Sequence, residues 1–160
     1  MNNQTFKKLT NLQADLDNYI AAEKSIYMPD YKLERIIALS VEFHELLNET
    51  RFIFKYWSHK QMNRDKALEE YVDGLHFLLS IGNDLNITDY EYNRPTFHDL
   101  RKLALGISNM ISLLPQTQNY ADLMDYYLLF GEKLGFTWEE VEQAYLSKNN
   151  TNYERQATGY

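Results

Sequence analysis

Five acidic residues at helical spacing carry the first chemical signal in this sequence. Glu42, Glu45 and Glu49 stand three and four residues apart, so on a helix they share one face within an arc of about 60°. Glu70 and Asp73 repeat the three-residue offset, with Glu69 beside them. Carboxylates are hard oxygen ligands, and Mg²⁺ takes an octahedron of such oxygens at ~2.0–2.1 Å from a few carboxylates, water and substrate phosphates. Two facing pairs, Glu42 with Glu45 and Glu70 with Asp73, would hold two or more ions between helices. Ions clustered ~3.5–4 Å apart can bridge phosphate oxygens and activate water. Phe77 lies one turn beyond Asp73 on the acidic side, where its ring would offer a flat surface to a base. Acids on the polar side of an amphipathic helix ordinarily form a solvated face. Taken singly, each of these groups fits that plainer reading, and the argument rests on their conjunction.

A second constellation lies near the C-terminus. Lys148, Asn152 and Arg155 sit at offsets of four and seven, one face of a helix. Two cations and an amide on one face suit a triphosphate, since Arg grips phosphate oxygens with paired hydrogen bonds. The segment after Leu146 has too little apolar content to fold onto a core by itself. It is expected to be mobile when empty and ordered with substrate. Lys55 and Lys60 flank Trp57 and fit either phosphate steering or a solvated basic turn. The four histidines share no metal-ligand spacing. His44 and His76 read as packing or surface residues.

These groups need helices to hold them. Phe6, Leu9, Leu12, Leu16, Tyr19 and Ile20 recur at helical spacing and predict a first helix from about Thr5 to Lys24. Pro29 and Asp30 punctuate, with Asp30 as the N-cap of a second helix from about Tyr31 to Tyr56. That helix carries Glu42, Glu45 and Glu49 as a narrow strip on an otherwise largely apolar surface. A third helix spans about Arg64 to Leu85, with Leu68, Tyr71, Val72, Leu75, Leu78 and Leu79 as its stripe. Asn86 to Pro95 reads as a loop. Thr96 caps a fourth helix, with Asp99 three residues on, and Pro115 stops it near Leu114. A fifth helix opens at Asn119 and stops at Gly135, which suits a left-handed C-terminal cap. Thr137 and Glu140 form a capping box for a sixth. Helices joined by short loops imply an all-α bundle, read as one domain over residues 1–160.

Bulk properties narrow the function classes. The chain has 160 residues, 44% hydrophobic and 24% charged, with a net charge of −7, which reads as globular. An acidic surface repels a nucleic-acid backbone, so no nucleic-acid partner is expected. A phosphorylated ligand would need a cation to offset the same repulsion. No cysteine is present, which excludes disulfides and thiolate metal sites. No apolar run reaches the ~18–20 residues of a membrane span, and a cytoplasmic location without membrane contact is expected.

The text around the acids adds a family resemblance. Glu42-x-x-Glu45, followed by Glu70-x-x-Asp73 on the next helix, resembles the ExxE…ExxD pattern of the all-α nucleotide pyrophosphatases. "VEFHELLNETRFIFKYWS" (Val41 to Ser58) and "EEYVDGLHFLLS" (Glu69 to Ser80) look like the core motifs of the dimeric all-α dUTPases of phage and bacterial type. "LQADLDNYI" (Leu12 to Ile20) resembles their first motif, and "KNNTNYERQATGY" (Lys148 to Tyr160) their C-terminal one. The resemblance implies a four-helix-bundle core with additional helices, a homodimer, and Mg²⁺ at two or more ions per site. It implies hydrolysis of dUTP to dUMP and pyrophosphate, keeping uracil out of DNA, with dUDP left open as a second substrate. The attack would be in-line, by metal-activated water, and the resemblance points to the β phosphorus.

By that resemblance Glu42, Glu45, Glu70 and Asp73 are the metal ligands. Glu45 also orients or deprotonates the attacking water, and Glu49 stands behind them or adds a ligand. Gln13 helps recognise uracil, Phe77 stacks on the base and Trp57 shapes the pocket. Lys148, Asn152 and Arg155 close over the phosphates. His44 departs from the pattern, which favours a small residue there. Two other readings stay open: a relative acting on another nucleotide such as dCTP, and a helical interaction or regulatory protein. Some phage members of the family are bound by repressors of mobile genetic elements, which makes such a repressor a candidate partner.

Overall fold

The stripe read in the third helix becomes the centre of the molecule. A computed structural model describes residues 1–158, and among these it contains six α-helices and no strand. They are α1 (Asn3–Lys24), α2 (Lys32–Thr50), α3 (Arg64–Asp84), α4 (Leu100–Thr117), α5 (Tyr120–Lys133) and α6 (Trp138–Ala157). A 3-10 turn, Met28–Tyr31, links the first two. In α3, Tyr71, Val72, Leu75, Leu78 and Leu79 are all buried. Their helix packs most extensively on α2, with α1 and α6 on its other sides, while α4 covers α2 and α5. The fold class is all-α, as the periodicity predicts. No helix of the described residues is long and apolar enough to cross a membrane.

The helix ends follow local chemistry, and several differ from expectation. α2 stops at Thr50, short of Tyr56, because Arg51 turns to φ +56° after its N–H meets the Leu47 carbonyl. The aromatic run that suggested a longer helix instead forms tight turns with Phe52, Phe54, Tyr56 and Trp57 exposed and Ile53 tucked in. Asp30 lies within the 3-10 turn, and Tyr31 takes the N-cap position of α2 with no side-chain cap. Asp99 replaces Thr96 as the cap of α4: its Oδ1 accepts from the backbone N–H of Arg101 at 3.0 Å and of Lys102 at 3.4 Å. A carboxylate there also faces the positive end of the helix dipole. Pro115 does not stop α4, which runs on to Thr117 and ends at Gln118 with φ +52°. Proline forgoes the one bond its N–H would donate to the Ile111 carbonyl, and only Gln116 and Thr117 follow it in the helix, so little structure depends on the residues beyond.

Other expectations hold. Gly135 adopts φ +85° after α5, and the Thr137–Glu140 capping box is formed at both hydrogen bonds. The polar C-terminal segment is a direct continuation of α6 as far as Ala157. Gly159 and Tyr160 of the last motif lie outside the described residues.

Candidate active site

Glu42 and Glu45 leave α2 beside its buried residues Leu39, Phe43 and Leu46, and Glu70 leaves α3 just before buried Tyr71. Because α2 and α3 bury these stripes against each other, the acids meet along the seam. Carboxylate oxygens of Glu42, Glu45 and Glu70 lie within 4.8 Å of one another. Burial raises the Glu42 carboxyl to about 7, and the neighbouring charges of Asp73, Glu45 and Glu70 push the same way. Glu70 and Asp73 are also raised, again chiefly by burial. Mutual repulsion of this kind is what a bound cation relieves. The donors are all hard oxygens, so the set fits a divalent ion such as Mg²⁺.

Asp73, the fourth expected ligand, adjoins the trio without joining it. Its Oδ2 accepts from Lys148 Nζ at 2.6 Å, and the same ammonium donates to Glu69 Oε1 at 3.2 Å. Glu49 also stands apart from the trio. Its Oε2 is buried without a hydrogen-bond partner, and Arg51 approaches it at 3.8 Å.

Beside the acids opens a cleft of about 320 Å³. Its walls include Gln13 and Asp17 from α1, Arg35 and Glu42 from α2, Asp73, His76, Phe77 and Ser80 from α3, and Lys148, Asn152 and Arg155 from α6. A second cleft of about 290 Å³ lies across α6, with Asp65, Glu69 and Thr151 among its lining. Lys148 and Arg155 line both. The structure thus gathers Gln13, Phe77 and the three α6 residues around one cavity. Trp57 is not in its lining: it sits in the turn after α2, 66% exposed, against Phe54 and Tyr56.

Gln13 is held at both ends of its amide. Its Nε2 donates to Asp17 Oδ1 at 2.8 Å, and its Oε1 accepts from Tyr145 Oη at 2.9 Å. His76 Nδ1 meets that same Oε1 at 2.7 Å. Asp17, an acceptor when ionised, sets which end of the amide faces it. The His76 ring stacks on Tyr145 with centroids 4.0 Å apart. Burial lowers its pKa to about 3, so the imidazole is neutral at neutral pH.

Sequence reasoning missed the network behind this wall. Ser80 Oγ donates to Asp17 Oδ2 at 2.6 Å and accepts from Arg35 at 3.0 Å, and Arg35 also pairs with Asp84. The signal was there to read: Arg35 falls on the same stripe as Leu39, Phe43 and Leu46, all buried. A cation in an apolar stripe calls for buried partners.

The chain as a whole matches a protein-family model described as dUTPase over residues 5–160. A search of curated proteins found no match.

Proposed function

The chain belongs to the dUTPase family, and on that premise we propose that it splits dUTP into dUMP and pyrophosphate at the cleft between α1, α2, α3 and α6. The observation that carries the proposal is the convergence of Glu42, Glu45 and Glu70 at the edge of a cavity that also holds Phe77, Lys148 and Arg155. Anion-repelling acids beside anion-attracting cations make sense if a divalent ion joins them to a polyphosphate. In this reading Glu42, Glu45, Glu70 and Asp73 would hold two or more Mg²⁺ ions, with Glu49 behind them. When bound, the metal would supply Lewis acidity, offsetting phosphate charge and making water acidic enough to give up a proton and become a nucleophile.

The protein's own groups do the rest. Glu45, the exposed member of the trio, orients the attacking water and takes its proton. Lys148, Asn152 and Arg155 bind the phosphate oxygens, with Arg155 giving paired hydrogen bonds. Phe77 stacks on the base. Gln13 has its oxygen occupied twice and one N–H committed to Asp17, so a single amide N–H is left to offer. Such an N–H donates to a base carbonyl and disfavours an amino group, which favours uracil over cytosine.

We also propose a homodimer. Leu33, Ile37 and Val41 form an i, i+4 stripe on α2 that is 59%, 62% and 48% exposed, and Leu105 on α4 is 73% exposed. Between those helices runs an apolar groove of about 400 Å³ lined by Leu47, Ile53, Phe54, Ala104 and Leu105. Large apolar side chains exposed on adjoining helices are the kind of surface that a partner subunit covers.

The decisive assay is pyrophosphate release from dUTP with magnesium and again after chelation, run beside dCTP, dTTP, UTP and dUDP. Release from dUTP that stops with chelator and exceeds that from dCTP is expected. Equal turnover of every base would remove the uracil-specific reading. Turnover unaffected by chelation would remove the metal.

A further inference from the structure

Lys148 occupies an unexpected place for a group that binds phosphate. Its side chain is 15% exposed, and its ammonium is already committed to two carboxylates, Asp73 at 2.6 Å and Glu69 at 3.2 Å. Asp73 is equally withdrawn, with 17% of its side chain exposed. Carboxylate oxygens of its neighbours Glu42, Glu45 and Glu70 lie within 4.8 Å of one another, whereas Asp73 is hydrogen-bonded to the lysine. A buried carboxylate needs a cation partner, and losing that partner is costly. Lys148 is the cation whose charge opposes the repulsion at Glu42, Glu70 and Asp73 alike.

We propose that Lys148 is an internal counter-ion and positioning residue, holding Asp73 apart from the Glu42–Glu45–Glu70 trio until a divalent cation displaces it. The inference rests on the metal-site reading above and deepens it. One amine serves two states. With the site empty it neutralises Asp73. Once the ion claims Asp73, the amine is released at a point where α6 borders both clefts, free to meet phosphate. Metal loading thereby prepares the phosphate-binding face of α6, and the order is metal first, lysine second.

The three electrostatic consequences of removing the amine share one sign. Asp73 loses a competing partner, the trio loses a neutralising charge, and the incoming ion loses a repelling neighbour. Lys148→Met is therefore expected to tighten magnesium binding roughly tenfold in titration calorimetry without nucleotide, the scale of one released charge-assisted hydrogen bond. Lys148→Arg, which keeps the charge, should stay near wild type. A group serving only the phosphates would leave magnesium affinity without nucleotide unmoved, so unchanged or weaker binding in a folded Lys148→Met protein overturns the proposal.

A second measurement uses the wild-type chain and covers the case in which the variant fails to fold. Amine acylation read by mass spectrometry should be slow at Lys148 in chelator and several-fold faster with magnesium alone. Equal rates overturn the proposal. Neither test uses dUTP, so the counter-ion role can fail while dUTP hydrolysis survives. A wild-type chain that binds no magnesium would end both this role and the metal site.

Discussion

Among single side chains, Glu42 is the most informative. Its carboxyl is half-buried and raised from 4.5 to about 7. A carboxyl raised in the folded state holds its proton more tightly there than in the unfolded chain. Its contribution therefore favours folding below about pH 4.5 and is lost as pH climbs toward 7. Glu42→Gln cannot titrate, so the difference between the two proteins isolates this group. In chelator at pH 8 the variant should be more stable than wild type by about 1–2 kcal/mol, discounted for partial exposure. The gap should close by pH 4.5. Saturating magnesium should reverse its sign, because the ion now stabilises only the carboxylate it can bind. Urea unfolding across pH measures all three. A gap independent of pH would mean that neither burial nor the neighbouring acids disfavour the charged form of Glu42.

The acids were legible in sequence because offsets of three and four report a helix face directly. Gln13, His76 and Arg35 were harder. The resemblance singles out Gln13, but of the three groups that clamp it only Asp17 lies one turn along the same helix, while His76 and Tyr145 come from α3 and α6. The sequence reads His76 as a packing or surface residue, and it does pack on Tyr145, yet it also lines the cleft. No periodicity in one helix predicts a partner on another.

Among the helices, α3 does most to define the site, and one glycine governs how it seats. Gly74 follows Asp73 directly, and a Cβ there would collide with the Tyr127 hydroxyl. That hydroxyl is not free to move: Tyr127 is fully buried and donates to the Tyr71 carbonyl at 2.8 Å. Gly74→Ala should cost about 1–3 kcal/mol through overpacking, despite alanine's higher helix propensity. Displacing α3 from α5 also shifts Asp73, so magnesium affinity should fall with stability. Thermal melts with and without magnesium test this, and a stabilised variant would refute it. Helix interiors were well read from apolar spacing, whereas their ends were decided by single residues. Arg51 leaves the helical region, Asp99 outcompetes Thr96 as a cap, and Pro115 falls too late in α4 to break it.

Over the whole molecule, two faces of α2 divide the work. One edge presents the acids and the next presents Leu33, Ile37 and Val41 to solvent. If two copies cover that stripe, Ile37→Glu together with Leu105→Glu should give a monomer by analytical ultracentrifugation while helical circular dichroism is kept. A single species of unchanged mass would show that the face serves something else.

The connection between Thr50 and Arg64 has a consequence of its own. It lacks regular helix, and His59, Lys60 and Gln61 are exposed. Exposed segments of this kind are preferred points of proteolytic nicking. Cutting after Lys60 would divide the chain into a fragment bearing Glu42 and Glu45 and one bearing Glu70 and Asp73. The severed pieces would still be glued by the apolar seam of α2 and α3, and the divalent ion would become a reversible rivet across the break. In urea strong enough to loosen that seam, co-elution of the two fragments should then depend on magnesium, which would turn this small bundle into a metal-gated split protein.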